Sequence, residues 1–366
     1  MIKKHRPVTT PHLRQNAAMP SFSENIVRWQ KQSGRHDLPW QNTRDPYRIW
    51  VSEIMLQQTQ VSAVVGYYAR FLARFPHIAS LAAAPIDDVM QHWAGLGYYA
   101  RARNLHKAAV TIVEEFGGVF PKTHEDVWSL PGIGRSTAAA ICAFAYGEPL
   151  AILDGNVKRV FARYFGIEGD IRAKAIEDTM WLIAEREVSK KQIEAYTQGL
   201  MDLGATICTR GTPRCLLCPL RDGCIAYNEG RIADLPGNSP KKETPHRQTK
   251  MLVLISANEV LIERRPPTGI WGGLWSLPEV AVEADVMAIT KAKYRVKLSK
   301  GCRPRPLPEV EHGFTHYSLT IYPMEIAVAK RNDHLAEPGV MWLNLDDIAG
   351  AALPAPVKKI LQRLTG

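Results

Sequence analysis

The chain has 366 residues, of which 46% are hydrophobic and 22% charged, with a formal net charge of +10. That length accommodates two domains, each with its own core, and no apolar run of about 18 residues marks a membrane span. The cationic excess lies in both halves and fits a polyanionic partner, or simply a well-solvated surface; it excludes neither.

Residues 1–18 form an N-terminal tail with Lys3, Lys4, Arg6 and Arg14 but no apolar centre, unlike a secretory signal. A cytoplasmic location is expected, and with it a reducing environment that disfavours disulfides. From 19 to 226 apolar residues recur at three and four positions, as in Trp50, Ile54 and Val61, or Ala138, Ile141 and Ala145. This spacing predicts a compact helical domain, punctuated by Pro46, Pro76, Gly95, Gly97, Pro121 and Pro131.

Glu53 lies in the helical run Tyr47 to Gln58. Its three- and four-residue neighbours are Ile49, Trp50, Leu56 and Gln57, none of them cationic. A carboxyl among apolar side chains has a raised pKa and suits a general acid near neutral pH. A lone Glu in this pattern also reads as the surface residue of an amphipathic helix. Leu130-Pro131-Gly132-Ile133-Gly134 follows as a glycine hairpin, then a helix start at Arg135-Ser136-Thr137. Gly132 and Gly134 let the backbone approach a ligand, and free N–H groups at the helix start suit a phosphate. An ordinary turn between helices has the same signature. Asp154, before Gly155 and Asn156, reads as an N-cap. A carboxylate held that way can also stabilise a developing cation, with Asn156 orienting it or a water.

Cys208, Cys215, Cys218 and Cys224 close the helical domain, interspersed with Arg210, Arg214 and Arg221. Four thiols at this spacing suit a structural zinc site or an iron–sulfur cluster, and spacing alone leaves both open. Cys142 and Cys302 lie outside the group and read as buried small hydrophobes. Residues 227–248 are polar and rich in turn formers, as in a linker. Beyond them, 249–366 predict a small α+β domain. Met251 to Ile255 and Val260 to Ile262 read as strands around a turn, and Val286 to Tyr294 and Pro356 to Leu364 as helices. Tyr317 to Ala327 reads as a strand that Pro323 places at an edge or a bulge.

Together, Leu38-Pro39-Trp40, Trp50 to Thr59, Gly95 to Tyr99, the hairpin, Leu153 to Val160 and the cysteine run resemble the helix-hairpin-helix DNA glycosylases of the endonuclease III superfamily. Within that superfamily the chain is most similar to the MutY family of adenine DNA glycosylases, over residues 20–366. The resemblance implies a mainly α helix-hairpin-helix glycosylase domain with a [4Fe–4S] loop on the four cysteines, followed by a C-terminal α+β Nudix-like domain. Ile270 to Trp275 and Phe314-Thr315-His316-Tyr317 look like its 8-oxoguanine-reading parts, although the family often has Ser at Thr315. Val280 to Leu298 lacks the acidic metal-binding helix of a Nudix hydrolase, so recognition without pyrophosphatase activity is expected.

The same resemblance implies residue roles. Glu53 protonates adenine N7, Asp154 stabilises the sugar cation either electrostatically or by transient covalent capture, and Asn156 assists. Trp40 and Gln198 line the base pocket, Gln58 and Tyr98 wedge into the base stack, and Thr315 and His316 face 8-oxoguanine. Ser136 stands where bifunctional glycosylase/lyases carry a lysine nucleophile, so monofunctional hydrolysis is expected. The expected partner is double-stranded DNA with adenine opposite 8-oxoguanine or guanine, bound by a monomer associated with the nucleoid and not with a membrane. The rival readings are a thymine glycosylase for thymine opposite guanine, a bifunctional lyase, and a non-catalytic iron–sulfur protein that binds DNA or transfers electrons.

Overall fold

The computed structural model describes residues 21–237, 244–266, 268–314, 317–330, 339–348 and 350–364. Its helices begin with α1 (Phe22–Ser33), α2 (Pro46–Leu56), α3 (Val61–Arg74), α4 (Ile78–Ala82), α5 (Ile86–Trp93) and α6 (Ala100–Glu115). They continue with α7 (His124–Ser129), α8 (Arg135–Tyr146), α9 (Gly155–Tyr164), α10 (Lys174–Glu187), α11 (Ile193–Asp202) and the short α12 (Ile225–Asn228). The described residues fall into two compact units, those within 1–57 and 115–240, and those within 58–114 and 241–366.

Local chemistry sets the helix ends of the first unit. Ser21 and Glu24 close a capping box on α1. Asp45 caps α2 by accepting from the Tyr47 N–H at 2.9 Å, and Pro46 occupies the first turn. Gly147 ends α8 in the left-handed conformation. The core gathers Phe22 and Ile26 of α1, Val157 and Phe161 of α9, and Tyr196 and Leu200 of α11. A Cβ on Gly199 would lie 2.7 Å from the Ile26 side chain and 3.2 Å from its carbonyl oxygen, so glycine is what lets α11 approach α1. Around α8 the small residues Ala138 to Ala140 and Ala143 are buried, and α2 packs there.

The second unit holds a sheet of β1 (His246–Ser256), β2 (Glu259–Arg264), β3 (Trp275–Ser276), β4 (Glu279–Val280), β5 (Lys297–Leu298), β6 (Arg305–Pro306), β7 (Val310–Gly313), β8 (Ser318–Lys330) and β9 (Val340–Asn344). Its long central pair, β1 and β8, runs parallel from His246↔Ser318 to Ile255↔Ala327. Helices α13 (Val286–Tyr294) and α14 (Ala355–Gln362) complete the α+β architecture. Leu252, Leu254, Leu261, Tyr294 and Ile326 form the core beneath α13.

Pro323 is not at a sheet edge. Strand β8 pairs with β1 on one side and with β7 and β6 on the other. The Pro323 carbonyl accepts from the Leu307 N–H at 2.9 Å, so its missing N–H points at the gap where β6 has ended and β7 has not begun. Between β6 and β7 the register with β8 shifts by one residue, a bulge opposite Pro323 that matches the second of its two expected places and tolerates the missing donor in a central strand. Cys142 is buried as expected, whereas Cys302 is only half-buried against the sheet core.

Candidate active site

Glu53 is carried by α2, a helix anchored through the buried residues Trp50, Val51, Ile54 and Met55. The side chain is half-buried on the wall of a cavity of about 940 Å³, which Trp40, Ser52, Phe144 and Gln198 also line. Burial first, and the charge of Asp154 second, push its carboxyl pKa up to about 8. A carboxyl with that pKa carries its proton at neutral pH and can donate it.

Asp154 caps α9, with its Oδ1 accepting from the Val157 N–H at 2.8 Å. Burial raises its pKa, against the N–H bonds from Val157 and Asn156 and the charges of Arg159 and Lys158. Those four favourable contacts make Asp154 the member of the pair that ionises first. Its charge then bears on Glu53, which is why the coupling falls on the glutamate. Ser136 fixes the approach to Asp154: its Oγ accepts from the Leu153 N–H at 2.9 Å. Asn156 is oriented in turn, its Oδ1 accepting from Arg159 Nη2 at 2.9 Å.

From that end α9 runs to the cysteine segment. Arg159 donates to the carbonyls of Cys208 at 2.8 Å and Gly204 at 2.7 Å. Arg163, 4% exposed, donates to the carbonyls of Leu235 at 2.9 Å and Thr209 at 2.7 Å and lies 3.4 Å from Cys208 Sγ. Cys208, Cys215, Cys218 and Cys224 all line one small apolar cavity, together with Val160, Leu203, Ile207 and Leu220. Among the described residues no three His, Cys, Asp or Glu side chains converge tightly enough to hold a single metal ion. Arg163→Met leaves several loop carbonyls without their donor, and a loss of about 2–4 kcal/mol in stability is expected. Urea unfolding monitored by circular dichroism checks it.

Gly132 has φ +81° and is exposed, as is Gly134, and a Cβ on Gly134 would meet nothing within 4 Å. Buried Ile133 anchors this hairpin from below.

The second unit carries Gln58 and Tyr98, both exposed, at φ +56° and +49°. For non-glycine residues such conformations cost about 1–3 kcal/mol and concentrate at functional positions. Buried Arg101 ties the two segments together, its Nη2 donating to Thr59 Oγ1 at 3.0 Å and to the Gly97 carbonyl at 3.1 Å. Thr315 and His316 lie outside the described residues.

Arg101, Arg159 and Arg163 went unrecognised in the sequence, where the basic excess read as facing either a polyanion or solvent. All three turn inward and satisfy carbonyls. For α9 the available signal was the four-residue spacing of Arg159 and Arg163, which sets both on one side of a helix capped by Asp154. Arg221, in contrast, pairs with its neighbour Asp222 at 2.9 Å, which offsets part of the loop's charge.

Residues 51–186 match the family described as HhH-GPD superfamily base excision DNA repair protein, and residues 250–363 match the NUDIX domain. The adenine DNA glycosylase of Buchnera aphidicola subsp. Baizongia pistaciae is 36% identical, over 94% of this chain and 96% of its own. That of Mus musculus is 33% identical, over 94% of this chain and 78% of its own. Among solved structures, a thermostable thymine-DNA glycosylase is similar at 30% identity with a TM-score of 0.52, covering 57% of this chain and 95% of its own. Among the described residues no helix is long and apolar enough to cross a membrane.

Proposed function

The chain belongs to the adenine DNA glycosylase family, and from that premise we propose that it excises adenine lying opposite 8-oxoguanine or guanine in duplex DNA. It is a base-excision repair enzyme that hydrolyses N-glycosidic bonds. The observation that carries the mispair reading to chemistry is Glu53, a carboxyl with its pKa near 8 on the wall of a cavity large enough for an extruded base.

The hairpin at Gly132 and Gly134 grips a phosphate, and the target nucleoside leaves the stack at a cost of about a few kcal/mol. Gln58 and Tyr98 fill the gap, while Thr315 and His316 read 8-oxoguanine. Adenine enters the cavity beside Trp40 and Gln198. Glu53 gives its proton to N7, and the C1′–N9 bond breaks with its electron pair leaving on the neutral base. Asp154, ionised at the α9 cap, stabilises the oxocarbenium sugar. The Glu53 carboxylate then takes a proton from water as the hydroxyl joins C1′, which restores the acid; Asn156 orients that water. With Ser136 in place of a lysine, no Schiff base forms.

The donor set suits a [4Fe–4S] cluster on Cys208, Cys215, Cys218 and Cys224, and such a group cross-links the loop that carries Arg210 and Arg214. Arg101→Met unties the Gln58 and Tyr98 segments. Affinity for the mispaired duplex is expected to fall about tenfold, as read by fluorescence anisotropy.

Single-turnover base release from duplexes carrying A opposite 8-oxoguanine, A opposite G, and T opposite G tests the whole reading. Release of adenine alone supports it. Release of thymine without adenine overturns it, and a DNA adduct trapped by borohydride overturns the monofunctional assignment.

A further inference from the structure

Gln198 reaches the cavity from α11, and its amide is held from behind. Asp202, one helical turn further on, is 1% exposed, and its Oδ1 accepts from Gln198 Nε2 at 2.8 Å. The same oxygen accepts from Arg35 Nε at 2.7 Å and lies 2.6 Å from Arg35 Nη2. The other oxygen, Oδ2, accepts from the Arg35 backbone N–H at 2.8 Å. Side chain and main chain of one arginine thus clamp both carboxylate oxygens. Arg35 is fixed in its turn, since its carbonyl accepts from Gln41 Nε2 at 2.9 Å on the cavity rim.

A carboxylate paired with a guanidinium only accepts hydrogen bonds. A glutamine amide has two orientations that differ in shape hardly at all but exchange a donor for an acceptor. An acceptor-only neighbour selects one of them. The NH2 must face Asp202, so the group left to face the cavity is the carbonyl oxygen Oε1. That oxygen can accept from an amino group but repels another carbonyl.

We propose that Asp202 is a specificity-determining positioning residue. By fixing the Gln198 amide it presents an acceptor to the 6-position of the extruded purine, and it favours a 6-amino base over a 6-oxo base. The inference rests on the reading of this cavity as the base pocket. A role confined to joining Arg35 to α11 predicts lost stability with unchanged base choice, which separates the two.

The test compares single-turnover release from two duplexes that differ only in carrying deoxyadenosine or deoxyinosine opposite 8-oxoguanine, with full-length protein. Asp202→Asn can donate as well as accept, so the amide is released to turn over. The adenine-to-hypoxanthine rate ratio is expected to fall about tenfold. Gln198→Ala leaves the Arg35–Asp202 pair intact, and the same fall in ratio is expected from it. Adding Asp202→Asn to Gln198→Ala is expected to change the ratio no further. If Asp202→Asn fails to fold, Gln198→Ala decides the matter alone. Equal slowing on both bases by Asp202→Asn, or an unchanged ratio in Gln198→Ala, overturns the inference while leaving adenine release in place. Failure of the unaltered protein to release adenine overturns the pocket reading itself.

Discussion

Glu53→Gln is expected to abolish adenine release while making the folded protein more stable at neutral pH. The first effect follows from losing the proton donor: general acid catalysis is worth about 10²–10⁴ in rate, and glutamine has no proton to give. The second follows from linkage. In the fold this carboxyl titrates near pH 8, against an ordinary value of 4.5. Between those values the unfolded chain has released the proton that the folded chain still holds. The group's contribution to stability is therefore complete below about pH 4.5 and is lost as the pH rises through 8. Glutamine has no such loss, so the variant gains on the order of a few kcal/mol over the parent at pH 7 and above. Urea melts at pH 5 and pH 8 read the difference. Parallel stability profiles, or near-normal base release, sink the assignment. In the parent enzyme, release is expected to decline above about pH 8 as the acid ionises.

Asp154→Asn separates two roles of one side chain. Asparagine caps helices about as well as aspartate, so the Val157 N–H keeps a partner and stability is expected to change by less than about 1 kcal/mol. Charge is what disappears. Stabilisation of a cationic sugar by a preorganised group is worth about 10²–10³ in rate, and a loss of at least that size is expected in single-turnover release. A second signature follows from the coupling of the pair. The Asp154 charge raises the Glu53 pKa, so its removal lowers that pKa. The alkaline limb of the residual activity should move to lower pH. A full-activity variant, or a limb that stays in place, counts against the assignment.

Much of this arrangement was legible from residue order. Glu53 among apolar neighbours, Asp154 before Gly155, and the glycines ahead of Arg135 each carry a local signature. The structure sets them at a helix wall, an N-cap and an exposed turn. The β1–β2 pair around residues 256–259 and the helix at Val286–Tyr294 were equally local. Non-local partnerships were not legible. Nothing within α9 says that Arg159 meets the carbonyl of Cys208, and nothing around Arg35 says that its partner is Asp202. Strand β8 alone allowed Pro323 an edge or a bulge, and only the register shift between two other strands, β6 and β7, decides for the bulge. Gln58 and Tyr98 disguise their left-handed backbone because neither is glycine.

Helix α9 has ten residues, a rod of about 15 Å, with the Asp154 carboxylate capping one end and, near the other, Arg163 holding a carbonyl of the cysteine segment. A rod of that length does not absorb a shift at one tip; it passes the shift on as a tilt. On the function proposed above, disorder in the cysteine segment and displacement of the Asp154 carboxylate become a single event. A chain whose cysteine segment is unmade is then, on that proposal, blunt on DNA, not careless with it.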